Sequence, residues 1–289
     1  MSYWKSQVPG ILIPAVPQPQ AAAQMSIKFK LELSQWYTPE RLAALQHKQL
    51  GILLAHARTQ SPFYARRLVN SVKAARPVTA GQMRQIQPLS RRDLQESLEE
   101  IRCRHYPDAH GPACRFQTSG STGQPVAAYS TDITTQVWQT ITLRDHLWHR
   151  RNLDGTLAAI RSFGPGKAMP PHGSKHNGWG ISTDLLYPTG RSWLLNSNCA
   201  IEILHDWLVA RNPDFLISHP SNIVALAEFF QASGRKLPNL KEVRTVGETV
   251  SDKVRDACRQ AWGCEVVDFY SCREVGYLAL QCPDHSEPR

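Results

Sequence analysis

The spacing of apolar positions changes along the chain near residue 111. Before it, helical spacing prevails. Leu42, Leu45, Leu50, Leu53 and Leu54 form one stripe over residues 39–58, with Thr38 placed to cap it and Pro39 suited to the first helical position. Ser61-Pro62 reads as a turn, and Ser90, followed three residues later by Asp93, opens a second helix. After residue 111, short apolar runs alternate with helix-spaced segments. Leu157–Ile160, Phe215–Ser218, Val243–Val246 and Glu265–Tyr270 read as strands, the first two short and buried. Residues 221–233 read as a helix capped by Ser221 and closed by Gly234. Ser251 caps another that reaches Trp262. Strands alternating with helices predict an α/β sheet. Residues 1–26, rich in Pro, Gln and Ala, read as a flexible tail. Three parts are therefore expected: a tail over 1–26, a basic helical region over 27–110, and an α/β core over 111–289.

Composition narrows the classes. With 289 residues, 42% apolar and 20% charged, the chain is of ordinary globular composition. No apolar run reaches the roughly 18 residues of a membrane-spanning helix. Pro9, Pro14, Pro17 and Pro19 break up any leader-like apolar segment. The net charge is +9, and residues 1–110 carry most of it, with 15 Lys and Arg against 7 Asp and Glu. Such a surface attracts nucleic acid, an anionic membrane, or a polyanionic ligand such as a nucleotide or coenzyme A. No RNP box, zinc-finger spacing or basic zipper supports nucleic acid, so no nucleic-acid partner is expected. Seven cysteines, an odd number in a chain this long, argue against a disulfide framework and for a reducing, cytoplasmic setting.

The sharpest local signal is Gln117-Thr-Ser-Gly-Ser-Thr-Gly-Gln-Pro125. Thr118, Ser119, Ser121 and Thr122 surround Gly120 and Gly123. Glycines admit phosphate oxygens close to backbone N–H groups, and hydroxyls add donors. No Gly-Lys-Ser/Thr follows, so it is not a Walker A loop. The competing reading is a Gly/Ser linker, but strand-like Cys114–Phe116 and Val126–Tyr129 bound the segment sharply. Two further segments sit after strands: Val246-Gly247-Glu248-Thr249, and Asp268 through Gly276. In the latter, Tyr270 offers a ring for a base and Glu274 a carboxylate for Mg²⁺. Taken singly, each is as well read as a turn or a core position.

In this order, TSGSTGQP, VGET and YSCREVG resemble the motifs of the adenylate-forming (AMP-forming) ligases. The likeness is to the phenylacetate–CoA ligase branch in particular, which includes ligase-like proteins of capsule biosynthesis. Leu50–Ala57 followed by Ser61-Pro-Phe-Tyr64, Gln87–Leu94, and His219-Pro-Ser-Asn222 are also similar to that branch, so the resemblance covers roughly residues 40–289. It implies the large N-terminal domain of such an enzyme and a two-step reaction. A carboxylic acid, aromatic by analogy with the branch, reacts with ATP to give an acyl-adenylate, and coenzyme A or another thiol then takes the acyl group. It implies that Thr118, Ser119, Gly120, Ser121, Thr122 and Gly123 hold the ATP phosphates, with Thr118 in the catalytic set. Gly247 and Glu248 would line the adenosine site, Tyr270 would stack on adenine, and Glu274 would bind Mg²⁺.

Departures from the pattern keep alternatives open. Ser271 stands where the family has Gly, and Arg273 where it has Ser or Thr. Arg273 is either a direct phosphate contact or the loss of a hydroxyl contact. The chain stops at Arg289, before the ribose-binding Asp and the lysine-bearing C-terminal domain of the resembled family. A C-terminally truncated chain of poor activity and poor solubility is the expectation. The alternatives are a catalytically impaired nucleotide-binding relative, a capsule-associated adenylate-forming protein, or a polyanion-binding protein. Residues 163–190, rich in Gly, Pro and aromatics, read equally as an acyl pocket or a surface loop. Cys282, in a Cys-x-x-His spacing, is a candidate ligand for structural Zn²⁺, although a single Cys and His do not close a tetrahedral site.

Overall fold

The computed structural model describes residues 4–68, 76–118 and 125–284. In chain order its elements begin with α1 (Pro19–Ser34), α2 (Pro39–Gln60), α3 (Pro62–Arg67), α4 (Ala80–Arg84), α5 (Arg91–Glu96) and α6 (Leu98–Ile101). Next come β1 (Cys114–Gln117), β2 (Ala127–Ser130), α7 (Asp132–Trp148), β3 (Leu157–Arg161), β4 (Ser174–His176), α8 (Ile181–Asp184) and β5 (Ser192–Asn196). The rest are α9 (Ile201–Arg211), β6 (Phe215–Ser218), α10 (Pro220–Ser233), β7 (Glu242–Thr245), α11 (Asp252–Trp262), β8 (Glu265–Val267), β9 (Phe269–Cys272) and β10 (Gly276–Leu280). Two compact units emerge: Ser26–Val137, and Met1–Met25 together with Trp138–Arg289. The first break falls within one residue of the boundary expected at 26, the second lies at 137 where 110 was expected, and residues 1–25 group with the second unit.

The 26–137 unit is helical with one hairpin. Thr38 and Ser90 cap α2 and α5 as their positions suggest, Ser90 within a reciprocal capping box with Asp93. Leu54, Leu68 and Val78 form its buried centre, and Leu50, Ala57, Tyr64 and Ile86 pack against them. The Ser61 hydroxyl caps α3 and also donates to the Glu100 carbonyl at 2.9 Å, tying the Pro62 turn to α6. Gly51, inside α2, lies so close to the chain at Arg76 that an added Cβ would stand 1.8 Å from the Arg76 carbonyl oxygen. A Gly→Ala change within a helix ordinarily stabilises by about 1 kcal/mol. Gly51→Ala is expected to reverse that sign, lowering the urea midpoint. An unchanged or higher midpoint would show that residue 76 gives way freely.

The expected tail is corrected. α1 starts at Pro19, in the first helical turn that proline suits, and Ala21 and Gln24 are buried. The Gln24 amide donates to the carbonyls of Gln139 (3.3 Å) and Ser182 (2.7 Å), and Lys5 N–H donates to Leu186 O at 2.7 Å. Three successive alanines favour helix, and the polar Gln24 finds carbonyl partners. Composition alone concealed both.

In the second unit β5, β3, β6, β7 and β8 lie parallel in that order, with β4 antiparallel at the β5 edge. Alternation sorts their side chains. Ala158, Ile160, Leu216, Val243 and Val266 face the core under α9, α10 and α11, against Leu208, Leu226, Phe230 and Cys258. On the opposite face Ala159 and Ile217 meet Phe269, with Tyr277 packed alongside. Burial on both faces explains why these strands read as continuous apolar runs. The single strand expected over 265–270 divides at Asp268. Its carboxylate accepts from Thr245 Oγ1 at 2.8 Å, and its N–H donates to Gln281 Oε1 at 3.0 Å, so β9 leaves the sheet to pair with β10. The helix expected from 221 begins at Pro220, with His219 at the N-cap position in place of Ser221.

Beneath β7 lies a charged cluster. Asp145 is fully buried and pairs with Arg151 (2.8 Å), Arg244 (2.6 Å) and His149 (3.5 Å). Arg151 also pairs with Glu242 at 2.6 Å. Burial alone raises the Asp145 pKa, but Arg244, Arg151 and His149 together hold it below its ordinary 3.8. Burial pushes Glu242 up and Arg151 down, so Asp145 with Arg151 and Arg244 is the ionic centre.

Candidate functional site

The parallel sheet places its loops by topology. From β3 the chain runs to β5 on one side, then crosses back through α9 to β6 on the other. Open α/β sheets bind ligands outside the carboxyl ends of the strands at such a reversal. Here Arg161 ends β3, His219 follows β6, and Val246-Gly247-Glu248 follows β7. Ile160 lies opposite Ser218, and the Ser218 hydroxyl donates to the Ile160 carbonyl at 2.7 Å, so the ends of β3 and β6 are held level.

Gly247 has φ +80°, and an added Cβ would approach the His219 ring to 3.1 Å. Glycine is required on both counts. Beyond it the Glu248 carboxylate accepts from Ser221 N–H (2.8 Å) and Ser221 Oγ (2.9 Å), with His219 Nδ1 at 4.0 Å. Glu248 thus satisfies orphan donors in the first turn of α10 and pins the loop after β7 to the loop after β6.

Tyr270, on β9, is 63% exposed and has no ring neighbour among the described residues. An aromatic face left open at a strand is available for stacking. Arg273 and Glu274 lie exposed in the turn between β9 and β10. Glu274 has no hydrogen-bond or ion-pair partner among the described residues, so its carboxylate is free to share a hard cation held chiefly by phosphate oxygens. No group of three or more His, Cys, Asp or Glu among the described residues is arranged to hold a metal. Cys282 is a half-buried free thiol, as all seven cysteines are free, and His285 lies outside the described residues.

The Gly/Ser/Thr segment belongs to the other unit. Ser119, Gly120, Ser121, Thr122 and Gly123 lie outside the described residues, but their frame is defined. β1 and β2 are antiparallel with Gln117 opposite Ala127. Thr118 N–H donates to Val126 O at 2.8 Å, and Thr118 Oγ1 lies 3.3 Å from both Val126 N and O. Residues 119–124 thus connect the arms of a hairpin whose base is closed by Thr118. Beside that base a cleft of about 600 Å³ is lined by Leu94, Leu98, Arg115, Gln117 and Pro125 among others.

Thr118 therefore sits in the 26–137 unit, whereas Gly247, Glu248, Tyr270, Arg273, Glu274 and Cys282 sit in the other. Within the latter, Gly247 and Glu248 are joined to His219 and Ser221, which sequence reasoning did not single out as site residues. The His-Pro-Ser run between a strand and a helix was the available signal. Arg161 was also missed, although a charged residue closing an otherwise apolar strand marks a strand end at the surface.

No family profile matches the chain, and no curated protein does. Solved structures do. A 2-hydroxyisobutyryl-CoA ligase bound to 2-HIB-AMP and CoA in its thioesterification state superposes with TM-score 0.61 at 18% identity, over 87% of this chain and 54% of that one. An open conformation of the same ligase, also with 2-HIB-AMP and CoA, gives TM-score 0.60 at 18% identity, over 85% and 57%. The chain shares its fold with the part of these ligase structures that it matches, and it spans a little over half their length.

Proposed function

We propose that this chain is the nucleotide- and acid-binding part of an AMP-forming carboxylate ligase. The observation that carries the reading is the placement of Gly247, Glu248 and Tyr270 at and beyond the carboxyl ends of the parallel strands of this fold. That an acyl-adenylate and CoA occupy a ligase of the same fold supports it. In the proposed reaction the acid's carboxylate oxygen bonds to the α-phosphorus of ATP, and pyrophosphate leaves with the electron pair of the broken P–O bond. A thiolate, from coenzyme A or a similar thiol, then attacks the acyl carbon and AMP departs.

Tyr270 offers its open ring to the adenine, while the Gly247 turn lets the backbone approach it. Residues Thr118 through Gly123 supply N–H and hydroxyl donors to the phosphates, whose negative oxygens otherwise repel the attacking carboxylate. Mg²⁺ would neutralise phosphate charge, with Glu274 as its protein ligand. A second reading, nucleotide binding without turnover, is favoured by Arg273, which replaces a neutral hydroxyl with a cation.

Calorimetric titration with AMP and with Mg-ATP tests the proposal. Tyr270→Ala is expected to weaken AMP by about 1–3 kcal/mol, the worth of one base stack. Gly120→Val is expected to weaken ATP far more than adenosine, and Glu274→Gln to weaken Mg-ATP but not metal-free AMP. Unchanged ATP affinity in Gly120→Val would remove the loop from the site. Pyrophosphate release with a panel of acids separates the two readings.

A further inference from the structure

Arg161 stands at the reversal point of the sheet, and neither the proposed phosphate loop nor the proposed adenine site employs it. By surface area it is exposed, yet enough protein surrounds its guanidinium for desolvation to lower its pKa. The guanidinium carbon lies 5.2 Å from the centre of the Phe163 ring, and the Tyr277 hydroxyl is near enough to act on its charge. No acidic side chain among the described residues pairs with Arg161. Arg244, the other cation that acts on it, is already committed to Asp145. At the carboxyl end of β3 the chain thus presents a guanidinium without an acidic partner among the described residues, whose planar fork matches oxyanions.

We propose that Arg161 is an anion-recognition residue at the carboxyl ends of these strands and holds a carboxylate or phosphate group of the bound ligand. The inference rests on the ligase reading for the identity of that ligand. β6 separates β3 from β7, which sets Arg161 about 10 Å across the sheet from the Gly247 turn. That span admits two carriers of the anion: the phosphate of the nucleotide, or a second, non-reacting acidic group on the acid. In the latter case the enzyme selects diacids over monoacids.

The test is equilibrium titration of the intact chain with two ligand pairs, AMP against adenosine and butanedioate against butanoate. Wild type, Arg161→Gln, Arg161→Lys and Tyr270→Ala are compared. The more highly charged member of at least one pair, AMP or butanedioate, should bind wild type about tenfold or more tightly than its partner, the scale of one charge-assisted contact. Arg161→Gln should bring that ratio near one, while Arg161→Lys retains part of it. The pair that responds identifies the carrier. An absent ratio in wild type, or a ratio untouched in Arg161→Gln, overturns the inference. If Tyr270→Ala weakens adenosine while Arg161→Gln changes neither ratio, the nucleotide reading stands and this one falls. If the diacid ratio depends on Arg161 and no nucleotide binds, the reverse holds.

Discussion

Asp145→Ala is expected to cost the fold about 3–5 kcal/mol, the range for removing one partner of a buried ion pair. The carboxylate is buried at the centre of Arg151, Arg244 and His149. Removing it leaves two guanidinium groups facing each other with only Glu242, bound to Arg151, as compensation. Arg151 Nη2 and Arg244 Nε already lack hydrogen-bond partners, so neither has a second acceptor to turn to. Arg244 comes from β7 and Asp145 from α7, so the pair fastens the helix to the sheet face. Urea unfolding followed by near-ultraviolet circular dichroism reads the change as a lower midpoint with the slope retained. A loss below about 1 kcal/mol would mean that the desolvation of these charges cancels their attraction, as it does in some buried ion pairs.

Stability is also expected to fall steeply with acidification, and to begin falling well above the carboxylate range. His146 is fully enclosed, and burial, reinforced by Arg244, Arg151 and His149, holds its pKa well below 6.5. Burial and Arg151 bring His149 down to about 4, against the opposing pull of Asp145. Both rings are therefore neutral in the folded chain over a range where the unfolded chain protonates them. The sign follows: their contribution is complete above about pH 6.5 and is lost as pH falls toward 4. Each proton taken up only by the unfolded chain costs about 1.4 kcal/mol per pH unit. The His149 contribution is bounded because its ring protonates in the folded chain as well once pH nears 4. Asp145 adds a second loss below its ordinary 3.8, where its ion pairs are protonated away. Urea midpoints should hold nearly level from pH 7.5 to about 6.5 and decline from there to pH 4.5, and His146→Phe with His149→Gln should flatten that decline. A flat profile in the wild type would show that these imidazoles find proton acceptors when charged.

The alternation of strands and helices was legible in the sequence because two-sided burial writes itself as apolar runs. Phe215–Ser218 is a strand in both readings, and Val243–Val246 is shifted by one residue to Glu242–Thr245. Turn chemistry was equally local: Thr38, Ser90, Gly234 and Gly247 act where a cap or a positive φ is needed. The placement of two candidate site residues was legible as well, since Tyr270 and Glu274 follow the last strand of the parallel sheet. These features depend on neighbours a few residues away, which a linear reading contains.

What only tertiary structure decided is how distant polar groups satisfy one another. The Pro- and Gln-rich start looked unstructured because its partners, Gln139, Ser182 and Leu186, lie more than a hundred residues downstream. Glu248 looked like a turn residue until Ser221, 27 residues earlier, received it. Arg244 of β7 and Asp145 of α7 lie 99 residues apart, yet they neutralise each other. Local pattern records which faces are apolar. A buried charge is tolerable only beside its counter-charge, and that adjacency is set by the order of strands in the sheet, which no short stretch of sequence contains.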